Sequence, residues 1–169
     1  SCIFLNRTSF SGILTNDAGP IGGIRQNSNY PIGCRFNRQN IIKKIEMISS
    51  FRAKIEILSY DWVNTINYIS NLSKNKADII FYFDPPFYQK GNKLYRNYFT
   101  QENHYNFYNK LRSLPYHWIL SYDNAKEIKK MYSNKITMHI EMPYSLNSHA
   151  VRIEKELIIT PLSLPEFGK

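Results

Sequence analysis

The chain has 169 residues, 43% of them hydrophobic, which is enough to bury one core and corresponds to a single domain of ordinary size. Its net charge of +9 favours a polyanionic partner, although an AT-rich genome that encodes many lysines would also produce a basic protein. No stretch of about 18 apolar residues occurs and the first residues lack a charged region, so we expect neither a membrane span nor a signal peptide.

The sequence contains two cysteines, Cys2 and Cys34, and four histidines that lie far apart along the chain. The cysteines do not have the spacing of metal ligands, and two of them in a chain of this size give no disulfide framework. We therefore predict no metal site and a reducing, cytoplasmic environment.

Residues 10–36 are rich in Gly, Asn, Ser and Pro, a composition typical of a loop-dominated segment with one hairpin. Asn37 is in place to cap a helix over residues 38–50, in which four isoleucines at helical spacing form an apolar stripe. A short strand is predicted over residues 54–60, and a second helix over residues 61–72.

The rest of the chain alternates between strands and helices. Residues 77–83 form an almost continuous apolar run, which is typical of a strand buried on both faces, as in a parallel sheet. Further strands are predicted over 117–121, 136–142 and 153–160, and further helices over 101–113 and 125–132. This order predicts a mostly parallel, right-handed α/β sheet, in which ligands bind at the carboxyl ends of the strands.

The apolar run ends abruptly in Asp84, Pro85, Pro86 and Phe87. Each proline fixes its own φ and lacks an N–H, and the residue before it is held extended. The result is a stiff turn that offers a carboxylate and a carbonyl as hydrogen-bond acceptors beside a flat ring. A rigid loop with Phe87 in the core is the structural alternative, but the position directly after a buried strand in a basic chain favours a functional site.

A turn of this kind suits methylation of an exocyclic amine. The amine of adenine is a poor nucleophile, because its lone pair is delocalised into the ring. Two fixed acceptors can take both amine hydrogens and leave the lone pair directed at a methyl donor, while an aromatic ring stacks on the base. The base has to leave the duplex first, which costs a few kcal/mol.

The chain resembles the DNA adenine methylase family of adenine-specific methyltransferases, in which Asp-Pro-Pro-Tyr follows the fourth strand and receives the flipped adenine. Here Phe87 takes the place of the tyrosine, which keeps the stacking surface and loses the phenol. The resemblance covers nearly the whole chain in family order, over residues 4–12, 29–37, 84–98, 118–124 and 144–159.

The resemblance implies a Rossmann-like methyltransferase sheet, S-adenosylmethionine as the methyl donor and double-stranded DNA as the substrate. Asp84 and Pro85 would accept the hydrogens of the adenine amine, Phe87 would stack on the base, and Pro86 completes the catalytic turn. Asp61 resembles the acidic position that faces the adenine of the donor, and Asp84 is expected to border the donor as well. A helix N-cap is the structural alternative for Asp61.

The family carries DNA recognition in the segment before the catalytic strand, so we predict a recognition segment over residues 1–37 and a partial catalytic domain over residues 38–169. The arginines of the candidate set could pair with phosphates or guanine edges. Its one aromatic residue either wedges into the gap left by the flipped base or packs under the loop. The candidate DNA contacts are Asn6, Arg7, Phe10, Arg25, Arg35 and Arg38.

The Gly-rich residues 19–23 do not form a cofactor loop, because no strand precedes them and no helix pattern follows. We expect a flexible turn there, either at the surface or facing DNA. Asp123 and Asn124 follow the strand at 117–121. We expect them to cap the helix at 125–132, and the alternative is that they shape the floor of the pocket.

The donor-binding Phe-x-Gly-x-Gly turn of the family does not occur in the sequence. The resemblance therefore implies that the first strands of the sheet are missing and that its C-terminal half is present. An open sheet edge would follow, which predicts a homo-oligomer or a complementing N-terminal fragment. The functional alternatives are a non-catalytic DNA-binding remnant and a methyltransferase that acts on RNA or on a protein amide nitrogen.

Overall fold

The computed structural model describes residues 2–12, 19–73, 75–89, 91–94, 97–147 and 150–163. The chain forms two compact units, residues 1–65 and residues 66–169. The functional boundary that we predicted at residue 37 stays a prediction. Within the described ranges, no helix is long and apolar enough to cross a membrane.

The first unit begins with helix α1 (Cys2–Thr8), a 3₁₀ turn (Phe10–Gly12) and a single antiparallel bridge between Ser9 and Pro20. This bridge stands where the sequence predicted a hairpin; residues 13–18, which would complete it, lie outside the described residues. Helix α2 (Arg38–Ser50) confirms the predicted helix, and the side chain of Asn37 accepts the N–H of Asn40 at 3.0 Å, as expected of its cap.

One expectation for the first unit is wrong. Residues 55–59 form no strand, because none of them pairs with another strand in the described part of the chain. Ile57 is 90% exposed. In α2, the residues Ile42, Ile45 and Ile48 of the predicted apolar stripe are exposed.

Helix α3 (Trp62–Ser70) confirms the helix predicted over residues 61–72, with Ile66 as its buried residue. The elements that follow confirm the predicted alternation of strands and helices and add one short helix. They are β1 (Ile80–Phe83), α4 (Gly91–Leu94), α5 (Gln101–Arg112), β2 (His117–Asp123), α6 (Lys126–Met131), β3 (Ile136–Asn147) and β4 (Ala150–Thr160).

The four strands form one mixed sheet in the order β1-β2-β4-β3. Strands β1 and β2 are parallel, whereas β2 pairs with β4 and β4 with β3 in antiparallel fashion. The prediction of a mostly parallel sheet is therefore wrong for the described strands. The reason is local, because β3 and β4 follow each other with two residues between them and so form a hairpin, which is antiparallel by construction.

One face of the sheet carries the core. Trp118, Leu120 and Tyr122 are buried on this face of β2, and Leu157 and Ile159 of β4 lie beside them with no exposed surface. Helix α5 packs against this layer. Its Phe107 ring meets Phe83 of β1 edge-on at 5.3 Å between centroids, and its Tyr108 ring meets Tyr132, which follows α6, at 5.0 Å.

Strand β1 is not buried on both faces, contrary to its continuous apolar sequence. Phe81 points to the core, but Ile80 and Tyr82 are 61% and 65% exposed. The cause is its position at the edge of the described sheet. Tyr82 therefore belongs to the polar face of the sheet, together with the next residues of that parity, Asp84 on this chain segment and Ser121 on β2.

Helix α5 is fixed at its start by a reciprocal capping box between Thr100 and Asn103. It carries a buried polar pair into the core, in which Nδ1 of His104 is hydrogen-bonded to the hydroxyl of Tyr122. Burial lowers the pKa of His104, against a smaller raising effect of Asp123. Burial also raises the pKa of Tyr122 well above its usual range. Both side chains are therefore neutral at physiological pH.

The core position of Leu120 gives a first prediction, since its side chain is fully buried between β1 and β4. Leu120→Ala should lower the free energy of unfolding by about 2–5 kcal/mol, measured by urea denaturation. Leu72→Ala is the matched control, because Leu72 is 60% exposed, and it should change the free energy by less than about 0.5 kcal/mol. Equal effects of the two variants would contradict the described core.

The neutral state of His104 gives a second prediction, on pH. The unfolded histidine titrates near its ordinary pKa of about 6.5, whereas the folded one titrates lower. Below that pH the unfolded chain takes up a proton that the folded chain does not, so stability falls as the pH drops from 7.5 to 5. His104→Gln should flatten this dependence of the urea midpoint, while His117→Gln, at an exposed position, should leave it intact. An unchanged slope in the His104 variant would refute the assignment.

Candidate functional site

The Asp-Pro-Pro-Phe turn lies where expected, directly after β1. The last residue of that strand, Phe83, pairs with Leu120, so that Asp84 lies beside Ser121 at the carboxyl ends of two parallel strands. Asp84 is exposed, and Pro85, Pro86 and Phe87 are half-buried. The four residues that the sequence singled out are therefore contiguous at the edge of the sheet where ligands of such folds bind.

The carboxylate of Asp84 is fixed by a short chain of hydroxyl groups. The hydroxyl of Ser121 donates to Oδ1 of Asp84 at 2.9 Å, and the hydroxyl of Tyr82 donates to Oγ of Ser121 at 3.1 Å. Ser121 is only 4% exposed, so its hydroxyl has few competing partners. These bonds set the direction of the Asp84 carboxylate without neutralising its charge.

The backbone after the turn is held by Asp123, at the end of β2. Oδ1 of Asp123 accepts the N–H of Tyr88 at 2.7 Å, and Oδ2 accepts the N–H of Gln89 at 2.9 Å. The predicted capping role is wrong, because α6 begins after Ala125, and no side chain caps it. The geometry favours the alternative that we had considered, in which Asp123 shapes the site itself.

Two further contacts shape the segment after the turn. The carbonyl of Phe87 accepts the N–H of Gly91 at 3.0 Å, which leads the chain into α4. The ring of Tyr88 packs on the ring of His104, with 4.9 Å between centroids. The backbone of Tyr88 is thus tied to β2 while its side chain rests on α5, so both sides of the loop are anchored in the core of this unit.

Asp61, the second candidate for donor contact, belongs to the first unit and acts as the N-cap of α3. Its Oδ1 accepts the N–H groups of Val63 and Asn64 at 2.9 and 3.0 Å, and its Oδ2 accepts the side-chain amide of Asn64. The structural alternative for Asp61 is therefore present. Because both oxygens already accept hydrogen bonds, this carboxylate fits a donor contact less well than the exposed Asp84 does.

The six candidate DNA contacts all lie in the first unit, and Arg38 among them is the first residue of α2. Asn6 donates from its side-chain amide to the carbonyl of Gly12 at 3.2 Å, and Arg7 is half-buried. Phe10 is 49% exposed, so it is not simply packed under the loop. The remaining arginines, Arg25, Arg35 and Arg38, are exposed.

The Gly-rich residues form consecutive turns organised by Gln26, and not a phosphate cradle. The Gln26 side-chain amide donates to the carbonyls of Ile21 and Gly23 at 2.8 and 2.6 Å, and its Oε1 accepts the N–H of Ile32 at 2.8 Å. Gly22 has a φ of +84°, and a Cβ there would lie 2.7 Å from the carbonyl of Tyr30. Glycine is therefore required at this position.

Sequence reasoning missed Tyr82, and it did not assign to Ser121 the binding of the Asp84 carboxylate or to Asp123 the binding of the loop after the turn. A signal for two of them was present, because Ser121 and Asp123 are two residues apart at the end of a strand and so share one face. Within the described residues, no group of three His, Cys, Asp or Glu side chains could hold a metal ion.

Comparison with known proteins identifies the family of the chain. No curated protein sequence matches the chain significantly. The family model described as D12 class N6 adenine-specific DNA methyltransferase matches residues 1–146, which is most of the chain and includes the first unit, most of the second and the whole turn. The chain therefore belongs to the D12 class of N6 adenine-specific DNA methyltransferases.

Proposed function

We propose that this chain transfers a methyl group from S-adenosylmethionine to the exocyclic amine of adenine in double-stranded DNA. One observation carries the proposal, which is the exposed carboxylate of Asp84, held by Ser121 at the start of a two-proline turn that ends in an aromatic ring. Membership of the family supports adenine in DNA as the substrate.

The chemical task of the turn is to make the amine nitrogen nucleophilic. Asp84 uses Oδ1 to accept the Ser121 hydroxyl, so its Oδ2 can accept one amine hydrogen of the adenine. The carbonyl of Pro85 accepts the other. With both hydrogens bound, the lone pair of the nitrogen turns out of the plane of the base and towards the methyl donor. As the new N–C bond forms, the bond between the sulfur and the methyl group breaks and the neutral thioether leaves. The methylated nitrogen then loses one proton, to the Asp84 carboxylate or to water. No covalent intermediate is needed, because positioning and fixed dipoles supply the rate enhancement.

Phe87 supplies the surface on which the extruded base rests. Its ring is half-buried, so one part is anchored in the protein while the rest can meet a ligand. Stacking of a base on an aromatic side chain contributes about 1–3 kcal/mol. A phenylalanine gives this energy as a tyrosine would, and it adds no hydrogen bond of its own.

The donor brings an electrophilic methyl group on a positively charged sulfur. An exposed carboxylate attracts such a charge, which supports Asp84 as a residue at the donor as well as at the base. Asp61 is a second proposed donor contact. It fits this role less well than Asp84, because both its oxygens already accept hydrogen bonds from the first turn of α3.

The first unit supplies the cations that DNA requires. Exposed arginines at positions 25, 35 and 38 are suited to phosphate contacts, and Phe10, half-exposed, is suited to the gap that a flipped base leaves. Asn6 and Arg7 complete the proposed recognition segment. The homo-oligomer or complementing fragment expected from the sequence stays a prediction.

Replacement of the Asp84 carboxylate tests the mechanism. Asp84→Ala should lower methyl transfer to DNA by at least about 10²–10³-fold, because one fixed acceptor for the amine is lost. DNA affinity should stay within about twofold. Transfer of tritiated methyl groups and fluorescence anisotropy with a DNA duplex measure the two quantities. Asp78→Ala is the matched control, since Asp78 is an exposed carboxylate whose partners, Ser73 and Asn75, are not in the turn.

The same assay separates the alternatives, if RNA and a glutamine-containing protein are offered beside DNA. Equal transfer by the Asp84 and Asp78 variants would refute the mechanism. Salt-dependent DNA binding by the unmodified chain without any methyl transfer would identify a DNA-binding remnant. Preferential methylation of RNA or of the protein amide would overturn DNA as the substrate.

The stacking role of Phe87 is tested by side-chain size. Phe87→Tyr keeps the ring and should retain kcat/KM within a few-fold, whereas Phe87→Ala should lower it by about 5–150-fold, which corresponds to the loss of about 1–3 kcal/mol of stacking. Tyr105→Ala is the control, because this ring is 54% exposed on α5 and remote from the turn in sequence. If the alanine variant at position 87 were as active as this control, stacking on Phe87 would be excluded.

A further inference from the structure

Strand β2 continues where its parallel neighbour stops. The last residue pair between β1 and β2 is Phe83 with Leu120, after which Pro85 and Pro86 have no N–H to give to a ladder. Strand β2 runs on for three residues, and β4 holds this extension as far as the pair Asp123 and Glu156. The end of β2 is therefore a fixed edge beside a segment that cannot pair with it.

The side chains of β2 replace the missing ladder. Ser121 binds the carboxylate at the start of the turn, and Asp123 binds the two N–H groups directly after it, those of Tyr88 and Gln89. Ser121 and Asp123 are alternate residues of one strand, so they project from the same face. The turn is thus held at both ends, at Asp84 and at Tyr88, and two of the three residues between these positions are prolines.

Asp123 is the stronger of the two attachments. Each of its oxygens accepts one backbone N–H, at 2.7 and 2.9 Å, whereas Ser121 makes a single hydrogen bond to the turn, at 2.9 Å. Helix capping does not explain this carboxylate, because α6 has Ala125 at its N-cap and no side-chain bond there. Both oxygens are directed at the loop after the turn.

We propose that Asp123 is a positioning residue for methyl transfer, which clamps residues 88 and 89 and so fixes the Pro85 carbonyl and the Phe87 ring relative to Asp84. This inference rests on the proposed function of the turn. Its energetic basis is preorganisation, since acceptors that are already in place need no rearrangement when the amine becomes nucleophilic. Asp123 touches neither base nor donor in this scheme, so its loss should lower kcat and leave the KM for DNA nearly unchanged.

Asp123→Asn tests the clamp with little change in shape. The amide keeps one acceptor oxygen and turns a donor towards the second N–H, so one of the two hydrogen bonds is lost. Amide hydrogen exchange at Tyr88 and Gln89, measured on the full chain without DNA or donor, should quicken by about 10–150-fold, the factor that corresponds to one hydrogen bond to a charged group. Asp123→Ala, which removes both acceptors, should quicken it further.

Asp78→Asn is the matched control, because it makes the same chemical change at an exposed aspartate whose partners, Ser73 and Asn75, are not in the turn. Amides of α6 in the same sample report on general unfolding and should exchange at the same rate in all variants. If Asp123→Ala unfolds the chain, the asparagine variant still decides the question.

The kinetic measurement completes the test. The clamp is supported if Asp123→Asn quickens exchange locally and lowers kcat at least tenfold, with the KM for DNA within twofold. Unchanged exchange at Tyr88 and Gln89 overturns it, and so does faster exchange with an unchanged kcat. If the unmodified chain transfers no methyl group, the proposed function fails, whereas the exchange result alone still supports or overturns the clamp.

Discussion

The structure around the site depends on two consecutive residues that have no backbone N–H. Pro85 and Pro86 end the ladder of β1, so the segment after them cannot continue as a strand beside β2. Their backbone is stiff, but stiffness alone does not direct a turn towards any particular place. The direction comes from hydrogen bonds of side chains that β2 supplies at Ser121 and Asp123. The restricted backbone of the two prolines and the hydrogen bonds from β2 together fix one geometry of the turn.

The anchor is itself rigid because of the layer beneath it. Strand β2 lies between β1 and β4, its core-facing residues Trp118, Leu120 and Tyr122 are buried, and Tyr122 contacts His104 of α5. The pair of His104 and Tyr122 brings polar atoms into this layer, yet both groups are neutral there, so the layer holds no unpaired charge. Asp84 and Asp123 lie on the opposite face of these strands, where they hold the carboxylate and the backbone of the site.

Local signals in the sequence were sufficient for much of this description. The helix at Arg38–Ser50 follows from the spacing of its apolar residues and from the cap at Asn37. The turn at Asp84 follows from two prolines after an apolar run, because the restriction that a proline puts on the backbone does not depend on the surrounding residues.

Pairing between distant segments could not be predicted in the same way. Residues 55–59 have the alternation of a strand, but a strand exists only where another segment accepts its hydrogen bonds. The clamp joins Asp123 to backbone N–H groups 34 and 35 residues away, and the sequence does not indicate which distant N–H a side chain will bind. For the same reason β1 seemed suited to burial on two faces, since its composition does not tell that the strand lies at the edge of the described sheet.

The long hairpin has a consequence for how the protein can change over evolutionary time. Strands β3 and β4 pair continuously from Ile136 with Thr160 to Tyr144 with Arg152, and again, after an irregularity, at Asn147 with Ala150. Strand β2 accompanies β4 only from Glu156 to Ile159. The outer part of the hairpin is therefore a two-stranded arm, and the surface pair of Lys155 and Glu141 lies near its base at 3.5 Å. Since Ser121 and Asp123, which hold the turn, belong to β2 and not to the arm, mutations or changes of length in the arm leave these two anchors in place. The arm can diversify while the chemistry is conserved.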